Sequence, residues 1–425
     1  MIDATQISPN FDPKDFTPFS DPPIDEPGIP ALFTLLRDRI AASGPISFAD
    51  FMDAALYHPE LGYYSSGDRR VIGPEGDYLT SPEVHPLFPA VIGRWLRLAW
   101  SALGAPACFV VREWGPGNGT LAAGLLSWSA RHPELARALS VELVERAPAM
   151  RARQERALRP WAQRGRARWD ASGPLRGVLL ANELLDAMPV HRVRRRDGRL
   201  EELRVGLNEG RFTWSPAPAT DPGILAYLEW LGVEPPEGAT VELWPGLPAW
   251  ARARAAELEE GFLLLLDYGD RTERLYAAWR REGTLLCFRR HAAHDDPFRF
   301  VGEQDITAHV DFGALGRALR ESGLRVYGPL SQAEFLRRLG IGQALAPEAA
   351  AGLSFEALQA RREAIAALTD AAGLGRVRVL AAARGPSIPP AFTAEDADSW
   401  AGPSTIERGS EGESRHGRVA RRRRL

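Results

Sequence analysis

The sequence predicts an α/β fold: a Rossmann-like, largely parallel sheet with a helical N-terminal lid and an inserted antiparallel hairpin and helical region. Three observations lead there. Apolar runs of strand length alternate with helical segments through the middle of the chain, the pattern of βαβ units. The run Phe262–Leu266 is apolar throughout, as in a strand covered on both faces near the centre of a sheet. One apolar strand passes directly into a glycine-rich turn and a helix, at Glu113–Thr120.

Taken in order, residues 1–27 are rich in Pro and Asp and read as a flexible lead-in. Residues 28–106 read as mostly helical with a Gly/Pro/Tyr-rich middle, a cap over the sheet's carboxyl edge. The core domain spans 107–385. It opens with a strand at Ala107–Trp114 and a helix at Gly119–Arg131, followed by a strand at Ser140–Glu145 and a helix at Pro148–Leu158. Strands at Ala167–Asp170 and Gly177–Ala181 come next. Residues 190–260 break the alternation. Val190–Trp214 alternates charged and apolar residues around Arg196-Asp197-Gly198 and Asn208-Glu209-Gly210, which is hairpin patterning for a substrate-facing insertion. Strands at Phe262–Asp267, Leu324–Tyr327 and Val377–Ala383 complete the sheet. Residues 386–425 form a tail expected to be disordered, ending in Arg421-Arg422-Arg423-Arg424.

Bulk properties narrow the function classes. A net charge of −3 supplies no field for nucleic acid. Lys14 is the only lysine, so arginine carries nearly all the positive charge. Cys108 and Cys287 are too few for a disulfide scaffold and sit in apolar, strand-like surroundings, so both are expected to be buried thiols in a reducing compartment. No apolar run reaches the roughly 18 residues that span a bilayer. The acidic, Pro-rich N-terminus has neither the Arg-rich character of a transit peptide nor an apolar signal stretch, so a cytoplasmic location in a bacterial cell is expected. His291, His294, Asp295 and Asp296 lack the i, i+4 spacing of a helical zinc site, and no metal is expected.

The chemistry concentrates at strand ends. The turn after the first strand reads Glu-x-Gly-x-Gly-x-Gly, with Glu113, Gly115, Gly117 and Gly119. A nicotinamide site wants G-x-G-x-x-G to seat a pyrophosphate. An acid two residues before the first glycine instead suits a ligand with an amino group and a carboxylate, as in the methionine half of S-adenosylmethionine. Glu145 ends the second strand, where two carboxylate oxygens match a ribose diol; the alternative is a cap on the helix at Pro148. A buried strand runs straight into Asn182-Glu183, with Asp186 three residues on. If one helical turn begins there, Glu183 and Asp186 share a face and could clamp a guanidinium. Alternatively Asp186 satisfies loose backbone amides and Asn182 closes the turn. Asp267-Tyr268-Gly269 ends the fifth strand in the same layer, where a structural role is at least as plausible.

These motifs, in this order, resemble the MidA-like methyltransferases over roughly Leu32 to Arg384. The resemblance rests on Ile46–Met52, Pro59–Tyr64, Gly76–Glu83, Glu113–Thr120, Ala181-Asn182-Glu183 with Asp186 and Pro189, Asp267-Tyr268-Gly269, and Gly302–Phe312. It implies a seven-stranded methyltransferase sheet and S-adenosyl-L-methionine as cofactor. The cofactor-binding residues it implies are Glu113, Gly115, Gly117, Gly119, Glu145 and Asn182, with Asp77, Thr80 and Ser81 closing over the ligand. Glu183 and Asp186 become the catalytic pair. The implied activity is symmetric dimethylation of an arginine on a protein substrate, a respiratory complex I-type subunit. A small-molecule methyltransferase, or a cofactor-binding assembly factor that acts by docking a partner, are the competing readings. The chain departs from the pattern at Phe88-Pro89, where Phe-Gly is usual, and at Asp270, where His is common.

Overall fold

The computed structural model describes residues 28–65, 71–171, 173–385, 387–393 and Asp396. The expected lead-in, and nearly all of the expected tail with Arg421–Arg424, lie outside the described residues.

Four helices come first: Pro30–Ser43 (α1), Phe48–Tyr57 (α2), Ser81–Val84 (α3) and Leu87–Ala102 (α4). The Ser47 hydroxyl caps α2 by accepting from Asp50 N at 3.0 Å. The chain then alternates through Phe109–Trp114 (β1), Thr120–Ser129 (α5), Leu139–Val144 (β2), Pro148–Ala157 (α6), Ala167–Arg168 (β3) and Leu175–Asn182 (β4). The insertion supplies His191–Arg196 (β5), Arg199–Asn208 (β6), Arg211–Pro218 (β7), Pro222–Leu231 (α7) and Thr240–Leu243 (β8). Next come Leu247–Glu257 (α8), Leu258–Asp267 (β9), Leu286–Arg289 (β10), Ala292–His294 (β11) and Asp305–Thr307 (β12). Phe312–Glu321 (α9), Arg325–Ser331 (β13), Gln332–Arg338 (α10), Phe355–Thr369 (α11) and Arg378–Arg384 (β14) follow.

Seven strands form the main sheet in the order β13-β14-β9-β4-β1-β2-β3. β2, β1, β4 and β9 pair in parallel, and β3 joins β2 in parallel. The reversed strand is β14, antiparallel to both β9 and β13. As the apolar run at Phe262–Leu266 implied, β9 lies inside the sheet with a neighbour on each side. Cys108 corrects one expectation: β1 begins only at Phe109, so Cys108 falls in the preceding loop and is exposed, while Cys287 is buried.

Helices cover both faces. On one, α4 and α5 pack with Trp95 against Phe262, ring centroids 6.0 Å apart. Their close approach needs Gly124, where a Cβ would lie 2.4 Å from Pro89 Cβ, so the departing Pro89 occupies space that the glycine leaves. On the other face, α8 and α9 bury Leu247, Ala251, Phe312 and Leu315 against Leu179, Leu263 and Leu265.

β5 to β8 form a separate four-stranded antiparallel sheet in the order β7-β6-β5-β8. Its two tight turns have positive φ at both corners, Asp197 and Gly198, then Glu209 and Gly210, the mirror-image turns whose twist suits a hairpin. The first two helices rest on this sheet through aromatic contacts. Phe33 of α1 meets Phe212 at 4.7 Å, and from α2 Phe48 meets Trp214 at 5.1 Å and Phe51 meets Phe212 at 5.5 Å. The N-terminal residues therefore divide, with α1 and α2 against the insertion and α4 against the main sheet.

Candidate active site

Every polar group singled out at a strand end lies at the carboxyl edge of the main sheet, and residues 71–84 lie over it. Glu113 is buried near the end of β1, 2% exposed, and its Oε2 has no hydrogen-bond partner among the described residues. Burial raises its pKa to about 8, because a lone carboxylate cannot keep its charge away from water. An ammonium group is the ligand chemistry that would relieve this.

Two residues on, the chain turns through Gly115, Gly117 and Gly119 with φ of +63°, +54° and +82°. At Gly115 a Cβ would sit 2.5 Å from Leu184 Cδ1, and at Gly117 it would sit 3.1 Å from Ile72 Cδ1. The turn is thus bordered by the segment after β4 on one side and by the overlying residues 71–78 on the other. Asn118 Nδ2 donates to Ile72 O and to Glu83 Oε1, both at 3.1 Å, and Thr120 Oγ1 donates to Glu83 Oε1 at 2.7 Å. Glu83, not among the sequence candidates, is the side chain that ties the loop to α3.

Glu145 follows β2. Its Oε1 accepts from Ala147 N at 2.7 Å and its Oε2 from Gln154 Nε2 at 2.9 Å, so it serves the start of α6, as the capping alternative proposed. Each carboxylate oxygen keeps a further lone pair for a ligand donor. Burial raises its pKa against these hydrogen bonds. Gln154 is completely buried; it also donates to Gly117 O at 2.8 Å and accepts from Trp169 Nε1 at 3.0 Å. Trp169, Glu145, Trp114, Val144 and Ala171 line a cavity of about 420 Å³ beside this edge.

β4 ends at Asn182, whose buried Oδ1 has no partner among the described residues. Glu183 then adopts a left-handed conformation, φ +50°, with its amide donating to Leu266 O at 2.8 Å. A non-glycine residue in this region is held there by its surroundings. Glu183 Oε1 accepts from Ser81 N at 3.0 Å and Asn182 Nδ2 at 3.1 Å. Burial lifts the Glu183 pKa to about 7, opposed first by the Ser81 amide. Asp186 lies in a short 3₁₀ turn, Leu185–Ala187. Glu183 precedes that turn, so the two acids do not share a helical face as the spacing implied. They share an electrostatic field instead. The Asp186 pKa is raised by burial and then by Asp267, Asp305 and Glu183.

Asp267 fastens this arrangement. Its Oδ2 accepts from Leu184 N and Leu185 N at 3.0 and 2.7 Å, and its Oδ1 from Tyr268 N at 2.8 Å. Asp77 is another fastener. Its carboxylate accepts from Tyr63 OH at 2.9 Å and Arg290 N at 2.8 Å, tying residues 71–78 to the hairpin of β10 and β11. Thr80 and Ser81 begin α3, and Ser81 faces Glu183.

Asp305, on β12, completes the acid edge. Its Oδ1 accepts from Tyr64 OH at 2.8 Å, and burial raises its pKa to about 7. Tyr64 lies 3.3 Å from the Tyr78 hydroxyl and stacks on Tyr57, centroids 5.4 Å apart. Sequence reasoning missed Asp305, Tyr57, Tyr64, Tyr78, Glu83 and Gln154 as site residues. For Asp305, Tyr64, Tyr78 and Glu83 the available signal was membership in the stretches Gly302–Phe312, Pro59–Tyr64 and Gly76–Glu83. Among the described residues no group of His, Cys, Asp or Glu is placed to hold a metal, and no helix is long and apolar enough to cross a membrane.

Residues 91–330 match a family described as "Putative S-adenosyl-L-methionine-dependent methyltransferase". The mitochondrial protein arginine methyltransferase NDUFAF7 homolog of Drosophila melanogaster is 30% identical over 400 residues, 84% of this chain and 88% of that protein. The mitochondrial protein arginine methyltransferase NDUFAF7 of Homo sapiens is 27% identical over 354 residues, 75% of each. A crystal structure from Burkholderia thailandensis, described as a "likely methyl transferase" and bound to S-adenosyl-homocysteine, aligns with TM-score 0.77 at 34% identity, covering 86% of this chain and 96% of that one.

Proposed function

The chain belongs to this family of S-adenosyl-L-methionine-dependent methyltransferases, and from that premise we propose that it methylates the guanidinium of an arginine on a protein substrate. The relatives named above are protein arginine methyltransferases. The observation that carries the reading is the acid edge: Asp186 and Asp305 are buried and Glu183 is half-buried, and each has its pKa raised by removal from water. An entering guanidinium supplies the positive charge that such a cluster lacks.

When bound, the cofactor supplies a methyl group on a positively charged sulfur. In this reading the Glu113 Oε2 and the Asn182 amide oxygen, both buried without a partner among the described residues, would accept from the ligand's ammonium. Gly115, Gly117 and Gly119 let backbone amides approach its carboxylate, and Glu145 accepts from the ribose hydroxyls. Asp77, Thr80 and Ser81 keep the overlying segment in place. Glu183 and Asp186 orient the acceptor guanidinium, because an attacking nitrogen must be held in line with the methyl group. Glu183 then takes the proton that the nitrogen loses, a role suited to a carboxyl whose pKa is about 7.

The finer expectations, symmetric dimethylation of a complex I-type subunit in the cytoplasm of a bacterial cell, belong to the same proposal. The test is incubation with tritiated S-adenosyl-L-methionine and lysate from a deletion strain, then mass spectrometry of the labelled band. Label on a protein arginine supports the reading. Label on a small molecule, or binding without turnover, replaces it with one of the two competitors.

A further inference from the structure

Gln332, the first residue of α10, lies outside the strand-end motifs and is completely buried. Its Nε2 donates to Leu368 O at 3.1 Å, and its backbone amide donates to Val377 O at 2.7 Å. That contact fixes the amide orientation, since a flipped side chain would set Oε1 against the Leu368 carbonyl. The Gln332 Oε1 therefore points at Ser81 and accepts from its hydroxyl at 3.0 Å. Ser81, also completely buried, donates its backbone amide to Glu183 Oε1 at 3.0 Å. The Ser81 hydroxyl has a single proton, given to Gln332, and the Glu183 carboxylate that the Ser81 amide contacts is the competing acceptor beside it.

We propose that Gln332 is a positioning residue for Glu183: it holds the Ser81 hydroxyl proton, so the Glu183 carboxylate keeps only its amide donors and stays ready to accept a proton. The groups facing Glu183 are Asp267 at the end of β9, Asp186 in the turn after β4, and the phenols of Tyr78 and Tyr268. The phenols are neutral, and the two carboxylates disfavour its charge. Diverting one hydroxyl donor to Glu183 would work against them. The inference concerns the protonation of Glu183; its consequence for turnover rests on the functional reading above.

The test is a carboxyl carbon-13 NMR titration of the full-length chain labelled at glutamate, with Glu183→Gln assigning the resonance. Gln332→Leu removes the acceptor and frees the Ser81 hydroxyl for Glu183, so the titration midpoint falls by about one pH unit. Gln332→Glu keeps the shape and adds a second carboxylate on the same hydroxyl, so the midpoint rises by a similar amount. In a Ser81→Ala background, Gln332→Leu produces no shift. Opposite shifts from the two variants cannot arise from a general loss of packing. An unmoved midpoint in either folded variant overturns the inference and leaves the functional reading standing. Unimpaired transfer by Glu183→Gln overturns the functional reading and leaves the titration result standing.

Discussion

The Tyr64 hydroxyl donates to Asp305 Oδ1 at 2.8 Å, joining residues 241 positions apart in the chain. This bond brings the crossing N-terminal segment down onto the acid edge and places Asp305 in the field of Asp186. Asp305→Asn keeps an acceptor for Tyr64 while removing the charge. Transfer to a cationic acceptor should then fall about 10- to 100-fold, the worth of one charged hydrogen bond, with cofactor affinity unchanged. Steady-state kinetics beside calorimetry check this, and equal loss of both would make Asp305 a general structural pin.

Glu113 gives the protein a pH signature. Its pKa in the fold is about 8 against an ordinary value of 4.5. Between those values the folded chain keeps a proton that the unfolded chain has lost, so stability without ligand falls as pH rises from about 4.5 to about 8. An ammonium ligand prefers the ionised form. Cofactor affinity should accordingly climb up to about tenfold per pH unit below pH 8 and level off above it. Calorimetry in buffers of different ionisation enthalpy would show about one proton released near pH 7. Glu113→Gln should flatten this dependence; an unchanged slope would move the ammonium elsewhere.

Glu183→Gln retains the acceptor for the Ser81 amide and loses the base. Turnover should drop about 10²- to 10⁴-fold, while cofactor binding stays near wild type. Parallel loss of both would show that Glu183 only supports the fold.

At Gly117 the backbone is left-handed, and a Cβ would lie 3.1 Å from Ile72 Cδ1. Gly117→Val adds that Cβ and two methyl groups beyond it, with a conformational cost of about 1–2 kcal/mol. Cofactor binding should disappear in calorimetry. Binding at wild-type affinity would contradict the placement of the cofactor at this turn.

Below the edge, Arg112 pairs with Glu142 at 2.7 Å, both side chains about 3% exposed. Removing Glu142 leaves the buried guanidinium only partly compensated, by Glu257 at 3.1 Å, whose side chain is 19% exposed. Glu142→Ala should therefore destabilise the fold by about 3–5 kcal/mol in chemical denaturation. A loss under 1 kcal/mol would show that water or Glu257 compensates Arg112.

Local structure was largely legible. All seven main-sheet strands were found: most are short apolar runs that declare themselves within a few residues, although β3, Ala167–Arg168, is not. The turns at Asp197-Gly198 and Glu209-Gly210 were equally plain. The reversed direction of β14 was not, since apolar patterning carries no strand polarity. Cys108 looked buried from its apolar neighbours, but the strand starts one residue later. Gln154 and Gln332 gave no signal, because a glutamine in or at the start of a helix ordinarily reads as surface.

What the sequence determined by itself is the kind of chemistry and its place in the chain: an acid before a glycine turn, an acid after the second strand, and Asn182-Glu183 after the fourth. Those are short-range features, set by neighbouring residues. The tertiary structure alone decided which acids meet and which can hold a proton. Glu183 takes its left-handed backbone and its Ser81 donor from segments distant in sequence, and Asp186 acquires Asp305 and Asp267 as neighbours. The reason is that desolvation and charge–charge repulsion depend on what surrounds a group in space, and that is settled only when the sheet edge, the crossing segment and α10 have packed together.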